Sequence, residues 1–314
     1  MGDDSLNYRP AYLALNARRL AEIGARLREA MSCCTLCPRR CRVDRGKGQL
    51  GACGIGSDAV VSSYGQHFGE ESVLVGRGGS GTIFLAGCSL KCEFCQNYEI
   101  SHERRGHAVP IDRLADMMIE LQECGCHNIN FVSPTHQVPQ IVEALAVAAA
   151  KGLRVPLVYN CGGYELVEVL KLLDGLIDIY MPDMKYGDNE PGLVYSGVPD
   201  YWDRCRESVL EMHRQVGDLE VRKVACDDGG MAEIAVRGLL VRHLVLPNGR
   251  AFTWNVMRFL ADEVSRDTYV NVMAQYRPQF HAHLFPEIDR PITRAEYQEA
   301  LEEARQAGLH RFAE

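Results

Sequence analysis

The stretch TIFLAGCSLKCEFCQNYEIS, residues 82–101, decides how this chain is read. Its opening TIFLA is apolar and rich in strand-forming residues, which predicts a short buried strand. Cys88, Cys92 and Cys95 follow as CxxxCxxC, on a loop at the carboxyl end of that strand. Thiolates are soft ligands that suit iron–sulfur clusters and zinc. A cubane has four irons, so three cysteines leave one iron open to an outside ligand. The competing readings are a zinc knuckle short of its fourth ligand, and buried cysteines with no ligand role.

Downstream, short apolar runs alternate with amphipathic stretches: 111–123, NINFV (128–132), 137–150, VPLVY (155–159), 164–173 and LIDIYM (176–181). The rhythm continues through a helix near 201–215, a strand at 239–246, a helix near 253–264 and the strand YVNVM (269–273). That makes six strands. Repeated strand–helix units imply parallel strands with right-handed crossovers, either closing toward a barrel or lying open as a doubly wound sheet. In both cases functional loops follow the carboxyl ends of strands. Residues 216–237 interrupt the alternation and read as a hairpin around Asp-Asp-Gly-Gly. GRGGSG (76–81) precedes a strand, whereas phosphate cradles follow one, so it reads as a turn. Thr293 with Glu296 three residues on announces a last helix through a capping box.

Upstream, the first 30 residues read as a polar helix with Leu13, Leu20, Ile23 and Leu27 at near-helical steps. A second cysteine set, Cys34, Cys37, Cys41 and Cys53, then lies in CTLCPRRCRVDRGKGQLGAC, with little apolar periodicity around it. Four thiolates close a tetrahedral site, which fits a structural zinc or an auxiliary iron–sulfur cluster equally. Cys33 beside Cys34 leaves the register open. Arg39, Arg40, Arg42, Arg45 and Lys47 crowd this loop and are read as balancing the thiolate charge. His67, Glu70 and Glu71 fall between the two cysteine sets, in a cofactor-side loop or a plain connection. Cys124, Cys126, Cys161, Cys205 and Cys226 lack ligand spacing and read as small buried apolar residues.

The chain has 314 residues, 46% of them hydrophobic, enough for one large core. Its net charge of −8 argues against a nucleic-acid surface, which needs clustered Lys and Arg. The sequence has no apolar run of membrane-spanning length, and its first residues lack the layout of an export signal. These features predict a cytoplasmic protein with no membrane and no nucleic-acid partner. In a reducing compartment thirteen cysteines read as metal or redox chemistry rather than disulfides.

CxxxCxxC with Phe94 just before its third cysteine resembles the signature of the radical S-adenosylmethionine (SAM) superfamily. GSGTIF (79–84), CQNYEIS (95–101), NINFVSPTHQVPQI (128–141) and DIYMPDMKY (178–186) are similar to the pyruvate formate-lyase activating enzyme-like group within it. The resemblance spans about residues 34–285. It implies an α/β fold, a partial (β/α)6 TIM-like barrel with a cysteine-rich N-terminal metal-binding segment. The expected divisions are a helical extension (1–32), the cysteine-rich segment (33–75), the barrel (76–290) and a C-terminal helix (291–314). The implied cofactors are a [4Fe–4S] cluster on Cys88, Cys92 and Cys95 and SAM, with an electron donor such as flavodoxin or ferredoxin. The implied reaction is reductive cleavage of SAM to a 5′-deoxyadenosyl radical that abstracts hydrogen from a substrate carbon. That carbon belongs to a glycyl residue of a partner enzyme or to another peptide, metabolite or cofactor; the alternative outside catalysis is an iron–sulfur electron carrier. Ser133, Thr135, His136, Asn160, Asp183 and Lys185 follow strands and, with Arg242 on the fifth strand, are the candidates to hold SAM. Asp183 and Lys185 match the D-x-K of the activating enzymes, and Arg242 resembles their fifth-strand arginine. On strand two, where those enzymes carry a Gly-Gly-Glu segment, this chain has Ser-Pro-Thr-His (133–136).

Overall fold

A computed structural model describes residues 8–225 and 231–313. Ten strands are described: β1 (Ala59–His67), β2 (Ser80–Leu85), β3 (His107–Val109), β4 (Ile129–Val132), β5 (Leu157–Cys161), β6 (Ile179–Pro182), β7 (Glu220–Ala225), β8 (Met231–Leu244), β9 (Tyr269–Met273) and β10 (Arg311–Phe312). The helices are α1 (Ala17–Glu29), α2 (Ser72–Val75), α3 (Tyr98–Ser101), α4 (Ile111–Glu123), α5 (Val138–Ala150), α6 (Val167–Leu170), α7 (Asn189–Ser196), α8 (Tyr201–Val216), α9 (Thr253–Phe259) and α10 (Arg294–Gln306).

The six expected strands are β2, β4, β5, β6, β8 and β9. They pair in that order, parallel throughout, as a partial barrel. Among the described residues the sheet stays open. On one side β1 runs antiparallel to β2, with β3 antiparallel beyond it; on the other β10 adds parallel to β9. Because parallel strands are covered on both faces, each carries apolar residues in both directions. Ile83, Phe131, Tyr159 and Tyr180 face the helical layer, while Val158, Ile179, Met181 and Leu240 fill the interior with Val73 and Leu74 of α2.

Local chemistry explains the outer layer. In α4 the buried Leu114, Met118 and Leu121 recur at helical spacing, and Pro139 opens α5, where its missing N–H is harmless. The Asn16 side chain caps α1 by accepting from the Arg19 N–H. α1 lays Leu20, Ile23 and Leu27 inward, each contributing about 1.5–3 kcal/mol on burial. Arg28 ties it to Glu143 of α5 and to the Ser57 carbonyl. The expected capping box is present at α10.

The differences from expectation have local causes. The N-terminal helix is two pieces, a 3₁₀ turn at Ala11–Ala14 and then α1. Asp178 accepts from the Ala11 N–H (2.8 Å) and the Tyr8 hydroxyl (2.7 Å), which pins the first piece to the start of β6. The span 164–173 shrinks to α6 and a 3₁₀ turn, and α9 ends in a π-helical turn at Leu260–Val264. The hairpin and the fifth strand are continuous: β7 pairs with the first part of the 14-residue β8, whose later part enters the barrel. The Asp-Asp-Gly-Gly turn expected there, and Cys226, lie outside the described residues.

Candidate active site

Six strand ends converge on a cavity of ≈ 700 Å³, within the usual range of about 300–1,000 Å³ for small-molecule sites. The β2 loop contributes Cys88, Cys92 and Cys95; β4 Ser133; β5 Asn160, Cys161 and Gly162; β6 Asp183 and Lys185; β8 Arg242; and β9 Asn271 to Gln275. Of the residues singled out from sequence, Cys88, Cys92, Cys95, Ser133, Asn160, Asp183, Lys185 and Arg242 line this one space. Thr135 and His136 lie behind its wall. The Thr135 hydroxyl donates to Glu165 (2.6 Å), and His136 Nε2 meets the Ala86 carbonyl (2.7 Å).

The cysteine loop is irregular and held from several sides. Lys91 sits at φ 57° and Gly87 at φ 81°, backbone that favours glycine at position 87. The Leu90 N–H points to Cys88 Sγ (3.4 Å), the Ser196 hydroxyl donates to Cys92 Sγ (3.1 Å), and Cys95 Sγ meets Ser101 Oγ (3.1 Å). Phe94 is buried edge-on among Tyr186, Tyr195 and Tyr276. Burial pushes the Cys92 thiol up to about 11 and raises Cys95, so a bound cation is what would make these groups thiolates. Soft sulfurs that each meet a donor, lining an open cavity, fit a cluster ligated by three cysteines.

Two cations stand at the mouth in unlike settings. Lys185 Nζ reaches Asp183 (2.6 Å); burial opposes its charge, but Asp183 and the nearby Cys92 raise it above the ordinary lysine value. Arg242 is gripped by Glu71 through Nε (2.7 Å) and Nη2 (2.6 Å) and also by Glu70, while Asn271 donates to Glu71 (2.7 Å). Burial acts to raise the Glu71 carboxyl, and the hydrogen bond and charge of Arg242 outweigh it, holding Glu71 below the usual value. Glu70 and Glu71 thus belong to the cavity wall, a placement that their position between the cysteine sets had left undecided. Glu165 and Asn271 carried no sequence signal.

Burial pushes the Glu165 carboxyl up to about 7, against hydrogen bonds from Thr135, Tyr159 and Cys161. It likewise lowers His136 and His243 to about 4. His243 lies in the core between the Met184 carbonyl and Thr253.

In the N-terminal segment Cys34, Cys37 and Cys53 are buried, Cys41 is half-buried and Cys33 is exposed, so Cys34 is the inward member of the pair. Of the basic residues expected to balance thiolate charge, Arg39, Arg40 and Lys47 meet oxygen partners instead. Arg39 donates to the carbonyls of Ser89, Leu90, Ser196 and Gly197, Arg40 meets Glu168 and Lys47 meets Asp44. Arg45 approaches a thiol, Cys34 (4.0 Å), while also donating to the His136 and Gly56 carbonyls.

Residues 82–225 match the sequence model of the radical SAM superfamily. An uncharacterized protein of Methanocaldococcus jannaschii is 33% identical over 285 residues, covering 88% of this chain and 75% of its own. This chain belongs to the radical SAM superfamily. Two solved structures are similar at low identity. Streptococcus suis SuiB bound to S-adenosylmethionine has a TM-score of 0.47 and 11% identity, over 72% of this chain and 48% of that one. Native anSMEcpe with bound AdoMet and a peptide has a TM-score of 0.45 and 9% identity, over 72% and 60%. This chain thus spans about half of the first and three-fifths of the second, and likenesses this distant say nothing of what it acts on. Among the described residues of this radical SAM protein, no helix is long and apolar enough to cross a membrane.

Proposed function

We propose that this radical SAM protein holds a [4Fe–4S] cluster on Cys88, Cys92 and Cys95, binds SAM in the ≈ 700 Å³ cavity beside them and abstracts hydrogen from a substrate carbon. The observation that carries the reading is that all three thiols of CxxxCxxC line the cavity on which six parallel strand ends converge. When bound, the cluster supplies one electron to the sulfonium of SAM, which separates into methionine and a 5′-deoxyadenosyl radical.

The chain's own residues bind and orient. Lys185, whose charge bears on Cys92 and Cys95, faces the methionine carboxylate. Asn160 and Ser133 offer amide and hydroxyl groups to the ribose and adenine. Asp183 holds Lys185 in place, and Arg242 serves the rim together with Glu70 and Glu71. Thr135 and His136 act from behind the wall, Thr135 on Glu165 and His136 on the carbonyl of Ala86, two residues before Cys88. The electron comes from a flavodoxin- or ferredoxin-like donor. The resemblance to activating enzymes favours a glycyl residue of a partner enzyme as the substrate, and the N-terminal cysteines hold a second metal.

The test is anaerobic reconstitution with iron and sulfide, addition of SAM and dithionite, and quantification of 5′-deoxyadenosine. The wild type is expected to form it, and a protein carrying Cys88→Ala, Cys92→Ala and Cys95→Ala is expected to form none. A cluster-loaded wild type that makes no deoxyadenosine would sink the catalytic reading and favour an electron carrier.

A further inference from the structure

We infer, on the proposed reading of Cys88, Cys92 and Cys95 as cluster ligands, that Ser196 backed by Tyr186 raises the reduction potential of that cluster by donating a hydrogen bond to the Cys92 sulfur. The Ser196 hydroxyl stands 3.1 Å from Cys92 Sγ, and the Tyr186 hydroxyl 2.9 Å from Ser196 Oγ. Ser196, Tyr186 and Cys92 are all buried, so neither contact competes with bulk water. Cys88 meets a backbone N–H of its own loop, that of Leu90, whereas the donor to Cys92 comes from a separate element, 104 residues on.

Proton counting gives the array a direction. A thiolate that ligates iron carries no proton and only accepts. The single proton of the Ser196 hydroxyl then goes to sulfur, and the Tyr186 O–H donates to the Ser196 oxygen. Donors in series polarise one another, so the Tyr186 hydroxyl strengthens the bond that Ser196 makes. Reduction adds one electron, supplied by the external donor, and no proton to a site that is already negative. A hydrogen bond aimed at a ligand sulfur stabilises the more negative form more, and so raises the potential.

The hydroxyl is not what holds Ser196 in place. Ser196 closes α7, and Gly197 after it takes the left-handed backbone (φ 59°) that ends the helix. The Tyr195 carbonyl accepts from the Glu93 N–H (2.8 Å), which ties this end of α7 to the cysteine loop. Arg39 links the same two segments, donating from Nη2 to the carbonyls of Ser196 (2.8 Å) and Leu90 (2.8 Å). All of these contacts use backbone groups of α7 and survive removal of Oγ, so Ser196→Ala isolates the bond to sulfur.

The experiment is a redox titration of anaerobically reconstituted protein, followed by electron paramagnetic resonance on the signal that is lost in the Cys88→Ala, Cys92→Ala, Cys95→Ala protein. Ser196→Ala is expected to keep the wild-type iron and sulfide content and to be harder to reduce. Its reduced-to-oxidised ratio at a fixed poise should fall about tenfold, which is about 59 mV for one electron. Tyr186→Phe keeps the ring and removes the donor behind Ser196, and is expected to move the potential the same way by less. An unmoved potential in a fully loaded Ser196→Ala protein overturns the inference and leaves the Cys88 reading standing. Should Ser196→Ala fail to load, Tyr186→Phe decides: a lowered potential supports the inference, and an unmoved one overturns it. A wild type with no reducible signal of this kind overturns both.

Discussion

Glu71 and Glu165 are both buried carboxyls at the carboxyl end of the barrel, yet burial leaves them in opposite states. Glu71 meets a guanidinium in two-pronged fashion and an amide, and is held below the ordinary carboxyl value. Glu165 meets the hydroxyls of Thr135 and Tyr159 and the Cys161 thiol, none of them charged, and rises to about 7. Burial penalises the charged form in both; a cation within hydrogen-bond reach reverses the outcome in one. The cavity wall is thus ionic on the Glu71 side and, near neutral pH, close to switching behind Cys161.

The strongest way to break this comparison is to remove the cation. Arg242→Met leaves Glu70 and Glu71 buried without their partner, at an expected cost of about 3–5 kcal/mol in urea unfolding at pH 7. In the wild type Glu71 contributes stability above its unfolded value of 4.5, lost as pH falls below it. In the variant the sign inverts, so the deficit should shrink toward pH 4.5. A deficit under about 1 kcal/mol would mean that water screens the wall as it does a surface pair.

The second test addresses Glu165. Its ordinary value is 4.5 and its folded value about 7. Between these the unfolded chain has released its proton and the native chain holds it, so stability falls as pH rises, by up to about 3 kcal/mol. Below 4.5 both states are protonated, and above about 7 both are ionised, so the slope is confined to that window. Asp178, raised by burial to about 6, slopes the same way, while His136 and His243, lowered to about 4, slope oppositely between 4 and 6.5. All three persist in Glu165→Gln, so the difference between the two unfolding profiles isolates Glu165. Parallel profiles from pH 4.5 to 7 would show that this carboxyl is not held neutral.

What was legible in the sequence follows the range of the forces involved. The six parallel strands were readable because apolar runs such as NINFV and LIDIYM are local, and Cys88, Cys92 and Cys95 because a ligand loop is closed within eight residues. Asp183 and Lys185, two residues apart, came as a pair and are one. Glu71 and Arg242 are 171 residues apart, and nothing near either announces the other. β1 was missed for the same kind of reason: AVVSSYGQH carries polar residues and a glycine, and it becomes a strand by pairing with the edge of β2. Arg39 looked like a counter-charge because sequence shows charge but not the carbonyls that the charge will meet.

The finest test asks whether the two carboxyls differ in charge or only in surroundings. Asn271→Leu removes a donor from an ionised carboxylate, a bond worth about 1.5–3 kcal/mol; Thr135→Val at pH 6 removes one from a neutral carboxyl, worth about 1 kcal/mol. The Asn271 variant should therefore be the less stable of the two at pH 6, by urea unfolding. Raising the pH to 8 ionises Glu165 and turns the Thr135 bond into one to a charge, so the cost of Thr135→Val should grow while that of Asn271→Leu stays level. Equal costs at pH 6, both unmoved at pH 8, would mean that Glu165 already carries its charge, and the contrast between the two walls would then lie in packing alone.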